Sequence, residues 1–291
     1  MAKPLVGILL NDTIFSRISR PDDMKRLRTF ARVRCPRPDK LTDEASRRIV
    51  KGCNALVTGW GSPALDTELL DLAPHLRIAA HSAGSVKCFV TEELWRRKIV
   101  VTTASPAIAV SVAEYTLGQL IMGLNRMLEL GDEVSTGGWS DNVNDQRPVR
   151  GLYHTAIGIV GAGFIGRRLI DLLRPFDVEV LLYDPHVSER EADRMGVTKV
   201  GLKSLARRSH AVTLHAPSIE ATRHMIDREF LETMRDDAVL VNTARGSLVD
   251  EAALAAVLKN RPRMLACLDV FDPEPPAPDH PLRALPNALL T

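Results

Sequence analysis

The feature that most restricts what this chain can fold into is Gly161-Ala-Gly163-Phe-Ile-Gly166. It stands between an apolar run, Ala156-Ile-Gly-Ile-Val160, and a segment with Ile165, Leu169, Leu172 and Leu173 at helical spacing. A strand, a glycine-rich turn and a helix in immediate succession open a βαβ unit and call for a parallel sheet. In such a turn Gly161 permits the tight bend, Gly163 lets backbone approach a pyrophosphate, and Gly166 lets the helix pack closely on the sheet. Phe164 and Ile165 open the helix, whose N-terminus supplies unpaired N–H groups and the positive end of a dipole.

The following strand ends at Tyr183-Asp184-Pro185, which places a carboxylate 23 positions after Gly161. That is close to the spacing of about 20 at which an acid meets the ribose hydroxyls of a dinucleotide. A carboxylate there repels a 2′-phosphate, so the expected cofactor is NAD and not NADP. The alternative use of Asp184 is to cap the turn after its strand. Arg167 and Arg168 follow the wrong element to capture a 2′-phosphate easily.

Apolar runs bounded by turn residues alternate with helical patterns along the whole chain, the mark of an α/β protein with parallel sheets. Strands are expected at Leu5–Leu10, Ala55–Thr58, Ile78–His81 and Val100–Thr103 in a first, small α/β domain. A second set is expected at Thr155–Val160, Val178–Tyr183, Ala211–His215, Ala238–Asn242 and Met264–Val270, with another beginning at Ala288–Leu290. A helix opened by the N-cap Asp250 carries Leu254, Val257 and Leu258 on one face. The domains divide as 1–103 and 104–291, and a polar, glycine-containing stretch from Gly137 to Arg150 precedes the glycine motif.

Composition sets the outer limits. The chain has 291 residues, 45% hydrophobic and 25% charged, enough for a sizeable core in two domains. Thirty-eight Lys and Arg stand against 36 Asp and Glu, interspersed along the chain, so no nucleic-acid partner is expected. The longest apolar helix candidate, about Ala107 to Leu130, is interrupted by Glu114, Gln119, Asn125, Arg126 and Glu129, and no membrane span is expected. Met1-Ala2-Lys3-Pro4 enters a strand at once, without a signal-peptide layout, so a cytoplasmic protein is the expectation. Cys35, Cys53, Cys88 and Cys267 lie far apart and read as packing thiols, with no metal site expected.

Three further segments, His215-Ala-Pro217, Val241-Asn-Thr-Ala-Arg-Gly-Ser-Leu-Val-Asp250 and Leu268-Asp-Val-Phe-Asp-Pro-Glu-Pro275, follow the glycine motif in order. Together they resemble the signatures of the NAD-dependent D-isomer-specific 2-hydroxyacid dehydrogenases, phosphoglycerate dehydrogenase-like, and the likeness runs from about Leu5 to Thr291. It implies two domains, a Rossmann dinucleotide-binding domain and a smaller flavodoxin-like substrate domain, with a cleft between them. It also implies hydride transfer between NAD and a small D-2-hydroxy or 2-oxo acid.

By the same resemblance Arg245 grips the substrate carboxylate and polarises its carbonyl, a task suited to a permanently charged planar fork. Glu274 is the partner of a catalytic histidine, fixing its tautomer and favouring its protonated form. Thr243, Ala244 and Asp269 belong against the nicotinamide, and Ala216, Pro217 and Thr222 near the other edge of the cofactor. Taken alone, Arg245 could instead neutralise carbonyls at a strand end, and Glu274 could be a solvated loop carboxylate. His215 matches a structural histidine, and His280 a loop position too early for the catalytic base.

The substrate carboxylate is expected on backbone N–H groups of Gly84 and Ser85, in His81-Ser-Ala-Gly-Ser-Val-Lys87, where the family's commoner Gly-Val-Gly-x-Asp pattern is altered. His81 and Lys87 either reach a second anionic group or face solvent. The run Ala104–Tyr115 resembles the start of an interdomain helix that builds a dimer interface, so a homodimer is expected. The resemblance places the catalytic histidine in a Pro-His pair after a strand like Ala288–Thr291. Two other readings stay open: a NAD-binding sensor resembling the family's corepressors, against which Arg245 and Glu274 argue, and an NADP-dependent reductase, against which Asp184 argues.

Overall fold

The computed structural model describes residues 2–139 and 149–291. Most of the polar stretch expected between Gly137 and Arg150 lies outside the described residues. The chain forms two compact units, Met1–Ile108 and Ala109–Thr291. The division falls slightly later than the expected boundary between 103 and 104, inside the helix Ser105–Leu124.

The first unit is a five-stranded sheet of β1 (Leu5–Ile8), β2 (Arg32–Arg34), β3 (Ala55–Thr58), β4 (Ile78–His81) and β5 (Val100–Thr103). The strands run in the order β2-β1-β3-β4-β5, and every pairing is parallel. That order is the flavodoxin-like one of doubly wound folds. Strand β2 has no counterpart in the sequence reading, because Arg32-Val-Arg34 carries no apolar run. It joins the edge of the sheet by backbone pairing to β1, and Arg34 turns inward to the carbonyls of Arg48 and Ile49 at the end of a helix (2.9 and 3.0 Å). Leu9, Ile49, Leu56, Leu70, Phe89 and Leu94 form the core on one side of the sheet. Side-chain caps at Asn11, Thr42, Asp66 and Thr91 start four of its helices, each accepting an N–H three residues on.

The second unit holds β6 (Thr155–Val160), β7 (Val178–Tyr183), β8 (Thr198–Lys199), β9 (Ala211–Leu214), β10 (Val239–Asn242), β11 (Leu265–Leu268) and β12 (Ala288–Leu290). They run β12-β11-β10-β9-β6-β7-β8, again all parallel. Strands β6, β9 and β10 are buried at every position, as a sheet covered on both faces requires. The two-residue β8 is too short to leave a periodic signal. Strands β9 and β11 stop one and two residues short of the expected limits, where the chain bends into the loops of the site, while β10 ends at Asn242 as expected. After β8 the chain returns to the opposite side of β6, and the reversal between β6 and β9 opens the crevice in which doubly wound sheets bind ligands.

One expectation is revised. The helix Ser105–Leu124 is long and apolar enough to cross a membrane by length and composition, with a mean hydropathy of 1.4. Of the five polar interruptions, only Glu114 and Gln119 fall inside it, because Arg126 takes a left-handed conformation (φ 55°) and the next helix starts at Met127. Its own packing is that of a core helix: Ala113, Leu120 and Leu124 are buried in the apolar core of the second unit, and a Cβ on Gly123 would lie 2.9 Å from Val239. The thiols are also only partly as expected. Cys53 and Cys267 are buried and their pKa values are raised by burial, Cys267 to about 12, but Cys88 is exposed on the loop after β4.

Candidate active site

The glycine turn after β6 is held by its neighbours more tightly than the motif alone conveys. Gly161 has φ +96°, and a Cβ there would lie 2.8 Å from the Ala216 nitrogen, so only glycine lets the loops after β6 and β9 meet. A Cβ on Gly166 would fall 2.1 Å from the Gly161 carbonyl oxygen, which makes this glycine a condition of the helix Phe164–Leu173 packing where it does. Gly163 differs: it caps that helix without a side chain, and a Cβ there would meet nothing within 4 Å. The space beside Gly163 and the unpaired N–H groups of the first helical turn form an anion cradle, which fits the pyrophosphate of a dinucleotide. Phe164, at the head of the helix, is 61% exposed, while Ile165 is half-buried against the core.

Asp184 sits at the end of β7, half-buried. Its Oδ2 accepts the Ala162 N–H and its Oδ1 the His186 N–H, both at 2.8 Å. The carboxylate therefore does what its alternative reading supposed, fixing the turn, and it does so while joined to the glycine loop itself. Each carboxylate oxygen accepts more than one hydrogen bond, so capacity for ribose hydroxyls remains. Arg167, set aside in the sequence reading, completes the scaffold: its Nε donates to the Ala162 carbonyl (2.7 Å) and its guanidinium pairs with Glu191 (2.6 Å). Only the fold brings these partners together, so no spacing in the sequence announces them.

Along the same edge of the sheet, β9, β10 and β11 deliver the remaining candidates side by side. After β10, Asn242 folds the chain back on itself, accepting the Ala244 N–H (3.1 Å) and donating to the Arg245 carbonyl (2.9 Å). This turn leaves Thr243 and Ala244 buried and Arg245 exposed. Thr243 is fixed from above by the Thr116 hydroxyl at 3.1 Å, a contact across 127 residues that the sequence does not signal. The Asp269 N–H donates to the Asn242 carbonyl (3.0 Å), so the chain leaving β11 is stitched to the turn that presents Arg245.

Asp269 is exposed, and its pKa is raised by partial desolvation and by the negative charge of Glu274, with the Thr291 hydroxyl opposing. Glu274 is exposed and bends back to accept the Phe271 N–H at 3.1 Å. Ala216 and Pro217 follow β9. The Thr222 hydroxyl is committed within their turn, donating to the Pro217 carbonyl (2.6 Å) and accepting the Ile219 N–H (3.1 Å), which gives it a shaping task. His215 is 8% exposed, with Nε2 3.1 Å from the Thr213 hydroxyl, and burial pushes its pKa down to about 3. A histidine held neutral and enclosed suits the structural reading.

In the first unit, Gly84 and Ser85 follow β4. The Ala83 carbonyl accepts the Ala104 N–H (3.1 Å) and the Gly84 carbonyl the Ser105 hydroxyl (3.3 Å), so this side of the loop is tied down. Among the described residues neither the Gly84 nor the Ser85 N–H has an acceptor. His81 takes neither course the sequence offered. It is 3% exposed, its Nδ1 lies 2.9 Å from the Thr58 hydroxyl, and its ring stacks on Phe89 at 4.6 Å. Burial lowers its pKa, the Ser85 backbone opposing. Lys87 is exposed.

Residues 117–291 match the family described as D-isomer specific 2-hydroxyacid dehydrogenase, NAD binding domain. The chain is 32% identical over 254 residues to a D-3-phosphoglycerate dehydrogenase of Methanocaldococcus jannaschii, covering 86% of this chain and 47% of that protein. It is 36% identical over 242 residues to a glyoxylate reductase of Korarchaeum cryptofilum, covering 83% and 73%. The chain thus spans about half the length of the phosphoglycerate dehydrogenases it matches. A solved protein from Thermus thermophilus superposes with a TM-score of 0.74 at 29% identity, over 100% of this chain and 88% of that one. The D-mandelate dehydrogenase of Rhodotorula graminis shares the fold, with a TM-score of 0.80 at 22% identity, over 100% and 88%. The second unit is accordingly a NAD-binding domain, and the chain belongs to the D-isomer specific 2-hydroxyacid dehydrogenase family.

Proposed function

We propose that the protein transfers a hydride between NAD and a small D-2-hydroxy acid or its 2-oxo counterpart. The observation that carries this reading is the exposed Arg245 at the C-terminal end of β10, in the same sheet whose β6 end carries the glycine cradle. A dinucleotide cradle alone serves many chemistries. A guanidinium beside it, with no carboxylate partner in its own turn, selects an anionic substrate and polarises a carbonyl.

The residues divide the work as follows. Gly161, Gly163, Phe164, Ile165 and Gly166 hold the pyrophosphate, and Asp184 holds the ribose and repels a 2′-phosphate. Ala216 and Pro217 line the cofactor, Thr222 shapes their loop, and Thr243, Ala244 and Asp269 meet the nicotinamide, which supplies the hydride. Arg245 binds the substrate carboxylate and carbonyl oxygen. Glu274 orients and charges the proton-donating histidine that the family pattern places after a strand like β12. The N–H groups of Gly84 and Ser85 are our candidates for further contacts to the substrate carboxylate.

We also propose a homodimer. In the second unit Met127, Leu128 and Val134, all on the helix Met127–Ser135, are 45–58% exposed. So much apolar surface near one helical segment marks an interaction face.

The test is to follow NADH and NADPH oxidation by the natural full-length protein with a panel of 2-oxo acids, glyoxylate and hydroxypyruvate among them. NADH consumption with at least one acid, and much slower consumption of NADPH, is expected. If NADH binds and no acid is reduced, the oxidoreductase reading fails and the NAD-binding sensor takes its place.

A further inference from the structure

The proposed chemistry leaves one buried polar cluster of the second unit without a task. Glu251 is the first residue of the helix Glu251–Asn260, and its side chain is 12% exposed. Its Oε2 lies 2.9 Å from Nε2 of His280, itself 16% exposed, and its Oε1 accepts the Asp272 N–H at 3.0 Å. The His280 ring stands edge-on to Phe271, with centroids 6.1 Å apart and planes at 74°. Burial raises the Glu251 pKa, while the Asp272 N–H and His280 work against the rise.

Oε1 thus holds the segment that leaves β11 with Asp269 and Glu274 on it, and Oε2 holds His280, which follows that segment. The opposite side of this loop is closed by Gly246, where a Cβ would lie 2.0 Å from the Phe271 carbonyl carbon. The backbone of Phe271 and Asp272 is therefore held between the Arg245–Gly246 turn and the Glu251–His280 pair. A half-buried Glu–His contact adds little net stability, and an apolar pair of the same volume would serve a core as well or better. What an apolar pair cannot provide is an acceptor for the Asp272 N–H and a fixed course for the loop.

We infer that Glu251 and His280 are positioning residues that set the Asp269–Glu274 loop against the nicotinamide end of the cofactor. The inference rests on the proposed NAD site. The helix start also favours a carboxylate at Glu251, because the first turn presents the positive end of its dipole. Neither residue touches the cofactor; both act through the backbone of Phe271 and Asp272.

The experiment compares the affinities of NADH and ADP-ribose for the natural full-length protein and its variants. ADP-ribose keeps the pyrophosphate and adenosine but lacks the nicotinamide. His280→Ala is expected to weaken NADH about tenfold, the scale of one lost hydrogen bond to a charged group, with ADP-ribose changed less than about twofold. His280→Gln, whose amide still donates to Glu251, should recover most of the loss. Glu251→Gln, which keeps an acceptor for Asp272, should fall between and serves if His280→Ala does not fold. Equal weakening of both ligands, or no change in either, overturns the inference and leaves the pair a purely structural one. Failure of the unaltered protein to bind either ligand overturns the cofactor reading and this inference with it.

Discussion

The turn after β6 and the loop after β4 belong to different sheets, and each leaves the C-terminal end of a parallel strand beside a buried core. In the turn after β6, two glycines are imposed by the protein itself. Gly161 needs its positive φ and its contact with Ala216, and Gly166 would drive a Cβ into the Gly161 carbonyl. In the loop after β4, Gly84 takes no positive φ, and the nearest atom to a Cβ there is the Ser105 hydroxyl at 3.9 Å. Nothing in the first unit demands glycine at that point. A motif is legible where backbone meets backbone, because few residues satisfy that geometry, and it loosens where only a ligand limits the choice.

Gly166→Ala gives the largest expected effect and attacks the constrained side of this comparison. Its methyl group has nowhere to go but into backbone, so the helix Phe164–Leu173 must move from β6. Unfolding stability should fall by about 3 kcal/mol or more, and NADH binding should be lost with it. Gly163→Ala sharpens the result, since its Cβ meets open space: stability should stay within about 0.5 kcal/mol while NADH affinity falls. Chemical denaturation paired with NADH titration separates the two. A stable Gly166→Ala protein that binds NADH normally would break the distinction.

Next in size is Arg245→Ala, which removes an exposed side chain whose guanidinium donates to the carbonyl of its neighbour Ala244. The loss expected in kcat/KM is about 100- to 1000-fold, shared between KM and kcat, with NADH affinity and unfolding midpoint nearly unchanged. Steady-state kinetics beside NADH titration reads the split, and unaltered kinetics would take Arg245 out of the site.

The same division between backbone-imposed and ligand-imposed positions explains what the sequence made legible. Parallel sheets, the glycine turn and its helix were readable because long apolar runs and glycine spacing are local signals. Strands β2 and β8 escaped because they are held by a neighbouring strand and not by apolar runs of their own. Arg167, Thr116 and Glu251 escaped because their partners Glu191, Thr243 and His280 lie 24, 127 and 29 residues away and nothing local marks them. Asn242 could have been read, since an Asn two residues before a buried small residue is a common way to fold a turn upon itself. His81 was misjudged because its neighbours, Thr58 and Phe89, come from other strands and loops.

The two buried histidines extend the comparison to acid. His81 ends β4 and His215 follows β9, and burial lowers the pKa of each, that of His215 to about 3. The folded state keeps His215 neutral while the unfolded chain takes up a proton near pH 6.5, so its contribution is whole above about pH 6.5 and declines as the pH falls towards 3. The slope from this one residue approaches about 1.4 kcal/mol per pH unit within that window. Urea unfolding between pH 7.5 and 5 should show it, and His215→Asn, which cannot titrate, should flatten the acid limb. An unchanged limb in that variant would place the acid sensitivity elsewhere.

The smallest expected effect is the most demanding test of the contrast between the loops. Gly84→Ala adds a methyl group to ordinary van der Waals distance from Ser105 and Ile108, in a backbone conformation open to alanine. It also removes the conformational freedom of a glycine from the unfolded chain, which favours the variant by about 0.4–1 kcal/mol. Stability should therefore be unchanged or slightly raised, in contrast to the loss at Gly166. If the N–H groups of Gly84 and Ser85 meet the substrate carboxylate, the variant should raise KM for the 2-oxo acid while leaving NADH affinity alone, because the methyl group stands where the substrate approaches. A fall in stability would show that the loop after β4 is as constrained as the turn after β6, and that its departure from the family pattern is compensated by packing that no single glycine reveals.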